Sequence, residues 1–170
     1  MLDIRLERPE DYSDIHRLIQ SAFADKDYSS GTEGPIVEAL RRDGDLTLSL
    51  VAKRSSHLVG HIAFSPVTID GQGDNIFALG PVAADPTLRF QGIGSALIKE
   101  GLARLREMGA RACVLIGDPN YYHRFGFIGD CGLTYGRLAP SKIQSLLWQG
   151  NPPKGEIIYA SGFSTGANHP

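Results

Sequence analysis

The run Leu79-Gly80-Pro81-Val82-Ala83-Ala84-Asp85-Pro86-Thr87-Leu88-Arg89-Phe90-Gln91-Gly92-Ile93-Gly94-Ser95-Ala96-Leu97 leads from an apolar strand, through a turn with two glycines, into a helix. A helix begun this way leaves its first backbone N–H groups without intrahelical partners, and the helix dipole adds partial positive charge there. Glycines at 92 and 94 keep side chains out of the approach, so an anion can come down onto the backbone. The chemistry expected is phosphate binding by the N–H groups of about Gln91 to Ser95. Arg89 can add a charge-assisted contact.

Two familiar phosphate loops fit this run poorly. A Walker-type loop needs a Lys-Ser or Lys-Thr pair after its second glycine, and Gly94 is followed by Ser95-Ala96. A dinucleotide-binding turn wants glycine or alanine three positions after the second glycine, where Leu97 stands. Asp118, at the end of the next strand, is placed as a ribose-binding carboxylate would be, yet the remaining chain leaves little room for a second mononucleotide half.

The elements around the turn follow from apolar periodicity. Ile4 and Leu6 suggest a first strand; Pro9-Glu10-Asp11 opens a helix with Ile15, Leu18, Ile19, Ala22 and Phe23 on one face. A polar loop from Asp25 to Gly34 precedes a short helix carrying Ile36, Val37 and Leu40 and ending near Gly44. Alternation from Leu46 to Ala52 and from Leu58 toward Ile69 predicts two strands, and Asp70 to Asp74 turns the chain into a third, Asn75 to Ala83. The helix after the glycine turn runs from about Gly92 to Met108, with Gly109 suited to its C-cap, and Arg111 to Gly117 reads as a buried strand. A strand, helix and strand this close form a parallel crossover, so the sheet is mixed. A helical turn over Tyr121 to Phe125 follows, then strand or helix signals at Leu133 to Leu138, Ile143 to Trp148 and Ile157 to Tyr159.

At 170 residues the chain is expected to be one domain, with a core over about 1–163 and a flexible tail over 164–170. A charged fraction of 21% and a net charge of -2, with no basic run, argue against nucleic acid as an electrostatic partner. No apolar run is long enough to span a bilayer, and no secretion signal stands at the N-terminus, so no membrane is expected and the location is cytoplasmic by default. Cys113 and Cys131 match no zinc or redox spacing and read as reduced, buried thiols; no metal is expected.

Arg89-Phe90-Gln91-Gly92-Ile93-Gly94 resembles the Arg/Gln-x-x-Gly-x-Gly/Ala signature of the GNAT-type N-acetyltransferases. Gly117-Asp118-Pro119, Tyr121-Tyr122 and Arg124-Phe125-Gly126-Phe127 are similar to the YhbS-like branch of that family, and the resemblance spans nearly the whole chain. It implies an α/β (α+β) acyl-CoA N-acyltransferase fold: a mixed central sheet with splayed parallel strands, flanked by helices. It also implies that the turn holds the pyrophosphate of acetyl-CoA, the cosubstrate. The implied cofactor-binding set is Val82, Ala83, Arg89, Phe90, Gln91, Gly92, Ile93, Gly94, Ser95, Ala96 and Tyr122.

The same resemblance assigns the chemistry. The strand through Gly80-Pro81-Val82-Ala83 and the strand ending at Gly117 are expected to splay, with the pantetheine arm between them. Pro81, which lacks an N–H, marks a break or bulge there. The N–H of Val82 becomes the donor to the thioester carbonyl. Tyr122, four residues before Gly126, falls where the family places the tyrosine that protonates the departing thiolate, and Tyr121 beside it is assigned to packing. A phenol of pKa ~10 stays protonated at neutral pH and can serve a thiolate whose thiol has pKa ~8.5. Glu33 is the leading general base, with Asp85, Asp118, His61 and His123 as alternatives; His61 also reads as a core histidine and Asp118 as a turn cap.

The expected reaction is direct attack by a small-molecule or peptide amine on acetyl-CoA. A non-catalytic acyl-CoA sensor on the same fold is the alternative. The acceptor pocket is expected from the Asp25 to Gly34 loop and the segment near Trp148 and Tyr159, and the C-terminal strand could pair across a homodimer.

Overall fold

The computed structural model describes residues 1–26, 29 and 31–165. Its strands are β1 (Asp3–Leu6), β2 (Leu48–Arg54), β3 (His57–Ile69), β4 (Gln72–Ala84), β5 (Ala112–Ile116), β6 (Leu133–Thr134), β7 (Ile143–Leu147) and β8 (Gly155–Tyr159). The helices are α1 (Tyr12–Phe23), α2 (Glu33–Asp43), α3 (Ile93–Glu107) and α4 (Pro119–Tyr122). The sheet order is β1-β2-β3-β4-β5-β7, with β8 paired to β3 and β6 to β8. Within the main order only β4 and β5 run parallel; β6 and β8 form a second parallel pair.

Helix α3 covers one face of the sheet. Its Leu97, Ile98 and Leu105 pack with Leu50, Ile62, Phe64 and Leu115 in the largest core cluster. On the opposite face, Ile15 and Ile19 of α1 and Val37 of α2 meet Val51, Ala63 and Ala83. The spacing of these residues within each helix puts them on a single stripe, and burying that stripe holds the helix in place. Gly44, at φ +79°, stops α2 in a left-handed cap.

Gly101 faces the sheet at a place where α3 packs tightly against β3. A Cβ built there would lie 2.5 Å from Cε2 of Phe64, a ring with no exposed surface. Gly101→Ala is expected to destabilise the fold by about 2 kcal/mol through overpacking. Urea unfolding would check this; unchanged stability would show that the Phe64 ring can move aside.

The ladder between β4 and β5 is short. Ile76, Phe77 and Ala78 pair with Ala112, Cys113 and Val114, after which the two strands part. Leu115 and Ile116 pair onward only with β7, while β4 continues along β3 to Ala84. Beside the opening, Ile62 pairs with Val82 and Phe64 with Leu79, so Gly80 and Pro81 together oppose Ala63 in a bulge. A second register shift lies at the other end of the paired stretch, between Pro66 and Thr68.

Backbone alternation orients the residues past the bulge. The N–H of Asp85 donates to the carbonyl of Val59 at 2.9 Å. Stepping back two residues turns Ala83 toward β3 as well, so the N–H groups of Val82 and Ala84 face the edge that β5 has left.

A polar chain links α2, the residue after β1, β2 and β3 on the helix-α2 side of the sheet and is buried at its Ser49–His61 end. Arg41 holds Glu7 through two hydrogen bonds of 2.8 Å, and Ser49 Oγ donates to Glu7 Oε1 at 2.6 Å. With its proton committed to Glu7, Ser49 Oγ accepts from Nε2 of His61 at 2.8 Å, leaving His61 Nδ1 unprotonated and without a partner. Burial pushes His61 down to about 4. Burial pushes the Glu7 carboxyl up, but its bonds from Arg41 and Ser49 prevail and hold it below the usual range. His61 is therefore a structural core histidine.

The final strand β8 pairs with β6 at Gly155 and Glu156 and with β3 at Ile157 to Tyr159, so part of its length is taken up within the chain. Residues 161–164 form a 3-10 turn, with Gly162 set against Leu40 of α2, at the border of the tail expected over 164–170. Residues 166–170 of that expected tail lie outside the described residues, as do positions 27, 28 and 30 of the polar loop. Cys113 is buried and its thiol pushed up by burial, whereas Cys131 is only half-buried.

Candidate active site

A cleft of about 710 Å³ opens between the end of α1, the upper part of β4, the glycine turn and α4. Val82, Ala83, Arg89, Phe90, Gln91, Gly92, Ile93, Gly94 and Ser95 line it, so nine of the expected site positions come together. Gly92 takes φ +78° as the N-cap of α3, a backbone conformation suited to glycine. A Cβ at either Gly92 or Gly94 would meet no atom within 4 Å, so both glycines leave the space in front of the helix end clear.

The first helical hydrogen bond of α3 runs from Ala96 N–H to the Gly92 carbonyl at 2.9 Å. The N–H groups of Ile93, Gly94 and Ser95 precede it and have no intrahelical acceptor, which suits an anion at the helix end. Ala96, also expected at the site, spends its N–H inside the helix and is not among the residues that line the cleft. Arg89 is half-exposed and stands 3.8 Å from Asp25, an exposed pair that an incoming phosphate can displace at little cost.

The two adjacent tyrosines sit differently with respect to the cleft. Tyr121 and Arg124 line the cleft, with the Arg124 guanidinium 4.5 Å from the centre of the Tyr121 ring. Tyr122 is absent from the lining. It packs at the end of β5, where a Cβ on Gly117 would lie 2.8 Å from its Cε2, and it meets Tyr121 edge-on at 5.0 Å. Asp118 caps α4 by accepting from the N–H of Asn120 at 2.9 Å, its turn-cap reading. Asp85 likewise accepts from Thr87 N–H, although it borders the cleft.

Glu33 is also missing from the cleft wall. It is the first residue of α2, and Ser29 Oγ donates to it at 2.7 Å. His123 lies on the exposed side of the α4 turn, with Nδ1 3.2 Å from the Pro119 carbonyl. Trp148 and Tyr159 sit away from the opening: Trp148 N–H donates to the Arg111 carbonyl at the start of β5, and Tyr159 pairs with Val67. A separate cavity of about 380 Å³ lies beside Tyr159, Phe77 and Pro66, at the closed end of the strands. Lys26 does line the cleft; its place in the polar loop after α1 was the signal that could have found it. Among the described residues no group of three His, Cys, Asp or Glu could hold a metal ion, and no helix is long and apolar enough to cross a membrane.

The split parallel pair beside a bulge, with a bare helix end at its mouth, makes an open cleft suited to an anionic ligand in an α/β protein, and comparison with known families gives its class. The chain belongs to the GNAT acetyltransferases, whose acetyltransferase (GNAT) domain model matches residues 3–128, and it is an acyltransferase by class. It is 41% identical over 125 residues to the uncharacterized N-acetyltransferase YhbS of Escherichia coli (strain K12), spanning 73% of this chain and 72% of that protein. It is 32% identical to the uncharacterized N-acetyltransferase YjhQ of the same organism, over 92% of this chain and 91% of that one. A crystal structure of a GNAT family acetyltransferase from Brucella melitensis in complex with acetyl-CoA matches at a TM-score of 0.86 and 44% identity, covering 96% of this chain and 98% of that one. Escherichia coli YhbS in complex with CoA matches at 0.87 and 34%, covering 96% and 92%.

Proposed function

We propose that this chain is one N-acetyltransferase domain, with its core over about 1–163. It transfers the acetyl group of acetyl-CoA to a primary amine of a small molecule or peptide by direct attack in a ternary complex in the cytoplasm. The observation that carries this is the cleft itself, in which Arg89 to Ser95 and Val82 to Ala84 border one space. The two relatives solved with acetyl-CoA or CoA support the choice of cosubstrate.

The cosubstrate supplies an activated thioester. The pyrophosphate meets the N–H groups of Ile93, Gly94 and Ser95, and Arg89 exchanges Asp25 for phosphate. The Val82 N–H, turned to the open edge, donates to the carbonyl oxygen as negative charge builds on it. Tyr122 protonates the leaving thiolate, and Glu33 accepts the amine proton through water.

Tyr122→Phe is expected to leave acetyl-CoA affinity unchanged and lower kcat about thirtyfold, less than a general acid often contributes because a thiolate is already a fair leaving group. Tyr121→Phe, made alongside, should change kcat little; the reverse pattern would move the acid to the residue that lines the cleft. Equal turnover by Tyr122→Phe and the parent would count against Tyr122 as the acid, and no turnover by either with any amine would favour the sensor alternative. The reading as a whole is tested by thermal shift with acetyl-CoA and by free-thiol release across a panel of amines. Stabilisation by a dinucleotide and none by acetyl-CoA would overturn it.

A further inference from the structure

The ring of Phe90 is fully exposed, although it sits in the middle of the anion-binding turn. Its backbone takes φ +65°, a conformation uncommon for a bulky side chain, and this directs the ring away from the protein while it still lines the cleft. Nothing in the fold is stabilised by an aromatic ring that touches no core. One residue on, Gln91 Oε1 accepts from Arg54 at 2.6 Å, which fixes the guanidinium at the same edge of the turn. Arg54 has no carboxylate partner within ion-pair distance among the described residues, so a cation stands there with its charge unspent.

An exposed ring and an unspent cation next to a pyrophosphate cradle suit a purine nucleotide that carries a further phosphate. Aromatic faces stack on bases, and a guanidinium pairs with phosphate oxygens. We infer that Phe90 and Arg54 form the platform for the nucleotide end of the cosubstrate: Phe90 stacks on the adenine and Arg54 takes the ribose 3′-phosphate. This rests on the acetyl-CoA reading above and deepens it. The turn thus selects the whole cosubstrate over its phosphopantetheine fragment, and Arg54 selects CoA over its dephosphorylated form.

Dissociation constants for CoA, dephospho-CoA and 4′-phosphopantetheine, measured by calorimetry on the full chain and on three variants, test the inference. Phe90→Ala is expected to weaken CoA and dephospho-CoA about tenfold and to leave phosphopantetheine unchanged. Phe90→Trp should restore the parent affinity. Arg54→Ala should weaken CoA five- to tenfold and leave dephospho-CoA unchanged. Because neither side chain is buried in the core, circular dichroism and melting should match the parent. Equal binding of CoA by Phe90→Ala and the parent, or equal losses for CoA and phosphopantetheine, would overturn the inference and leave the acetyl-CoA reading standing. Absence of CoA binding by the unsubstituted chain would instead overturn that reading itself.

Discussion

Gly94→Asp will abolish acetyl-CoA binding at working concentrations, raising the dissociation constant at least a hundredfold, while the protein melts no lower than the parent. Gly94 is the second residue of α3, and a side chain there enters open space, so the fold has no steric objection. A carboxylate in the first turn of a helix is favourable by ~0.3–1 kcal/mol, since it interacts with the same dipole and N–H groups that await an anion. That is why the effect falls on the ligand: the new carboxylate takes the place of the pyrophosphate and repels it. Two unit charges about 4 Å apart at an effective dielectric constant near 20 differ by ~4 kcal/mol, and a hundredfold loss asks for only ~2.7 kcal/mol of that. Calorimetry with acetyl-CoA and a melting curve check both halves. Retained affinity would remove the pyrophosphate from this turn.

The second large effect is loss of stability in acid through His61. Its folded pKa of about 4 lies below the ordinary value of 6.5, so between those values the unfolded chain binds a proton that the folded chain refuses. Stability is therefore fully present above pH 6.5 and falls as pH drops toward 4, by ~3 kcal/mol for this one group. Glu7, held below its usual range, works in the same direction at the lower end, because its contribution is lost once the carboxyl is protonated. His61→Gln keeps an amide N–H for Ser49 and cannot titrate, so its unfolding free energy should fall less steeply between pH 6.5 and 4. Parallel pH profiles for the two proteins would show that His61 is not the acid-sensitive group.

The glycine turn was legible because every part of it is local: strand, turn and helix follow one another between Leu79 and Leu97, and backbone geometry there depends on near neighbours. The bulge was legible from Pro81 alone, since a proline inside a strand must sit where no N–H is needed. Placement across the sheet was not. Trp148 and Tyr159 looked like pocket residues because they are aromatic and late in the chain. Yet β7 runs antiparallel to β5, which carries its last residues back to the closed end, and β8 crosses over to β3. The chain from Arg41 to His61 through Glu7 and Ser49 draws on three elements and the residue after β1, and no spacing in the sequence links them. The assignment of Tyr121 and Tyr122 depended on how one turn of α4 is rotated over Gly117, which two adjacent residues of the same type cannot disclose.

The irregular pairing of β3 with β4 has a consequence that is purely one of length. Gly80 and Pro81 span the distance that Ala63 spans alone, and Asp74 to Ile76 span the distance of Val67, so β4 carries surplus chain past the end of its contact with β5 and around its start. Two strips joined at intervals, one longer than the other, must curve with the longer one outermost. The outer edge of such a curve touches a straight neighbour over a short arc and departs from it beyond, as β4 touches β5 only from Ile76 to Ala78. The opening beside Val82 is thus set by a count of residues, and a β4 trimmed to match β3 would make a more regular sheet without that opening.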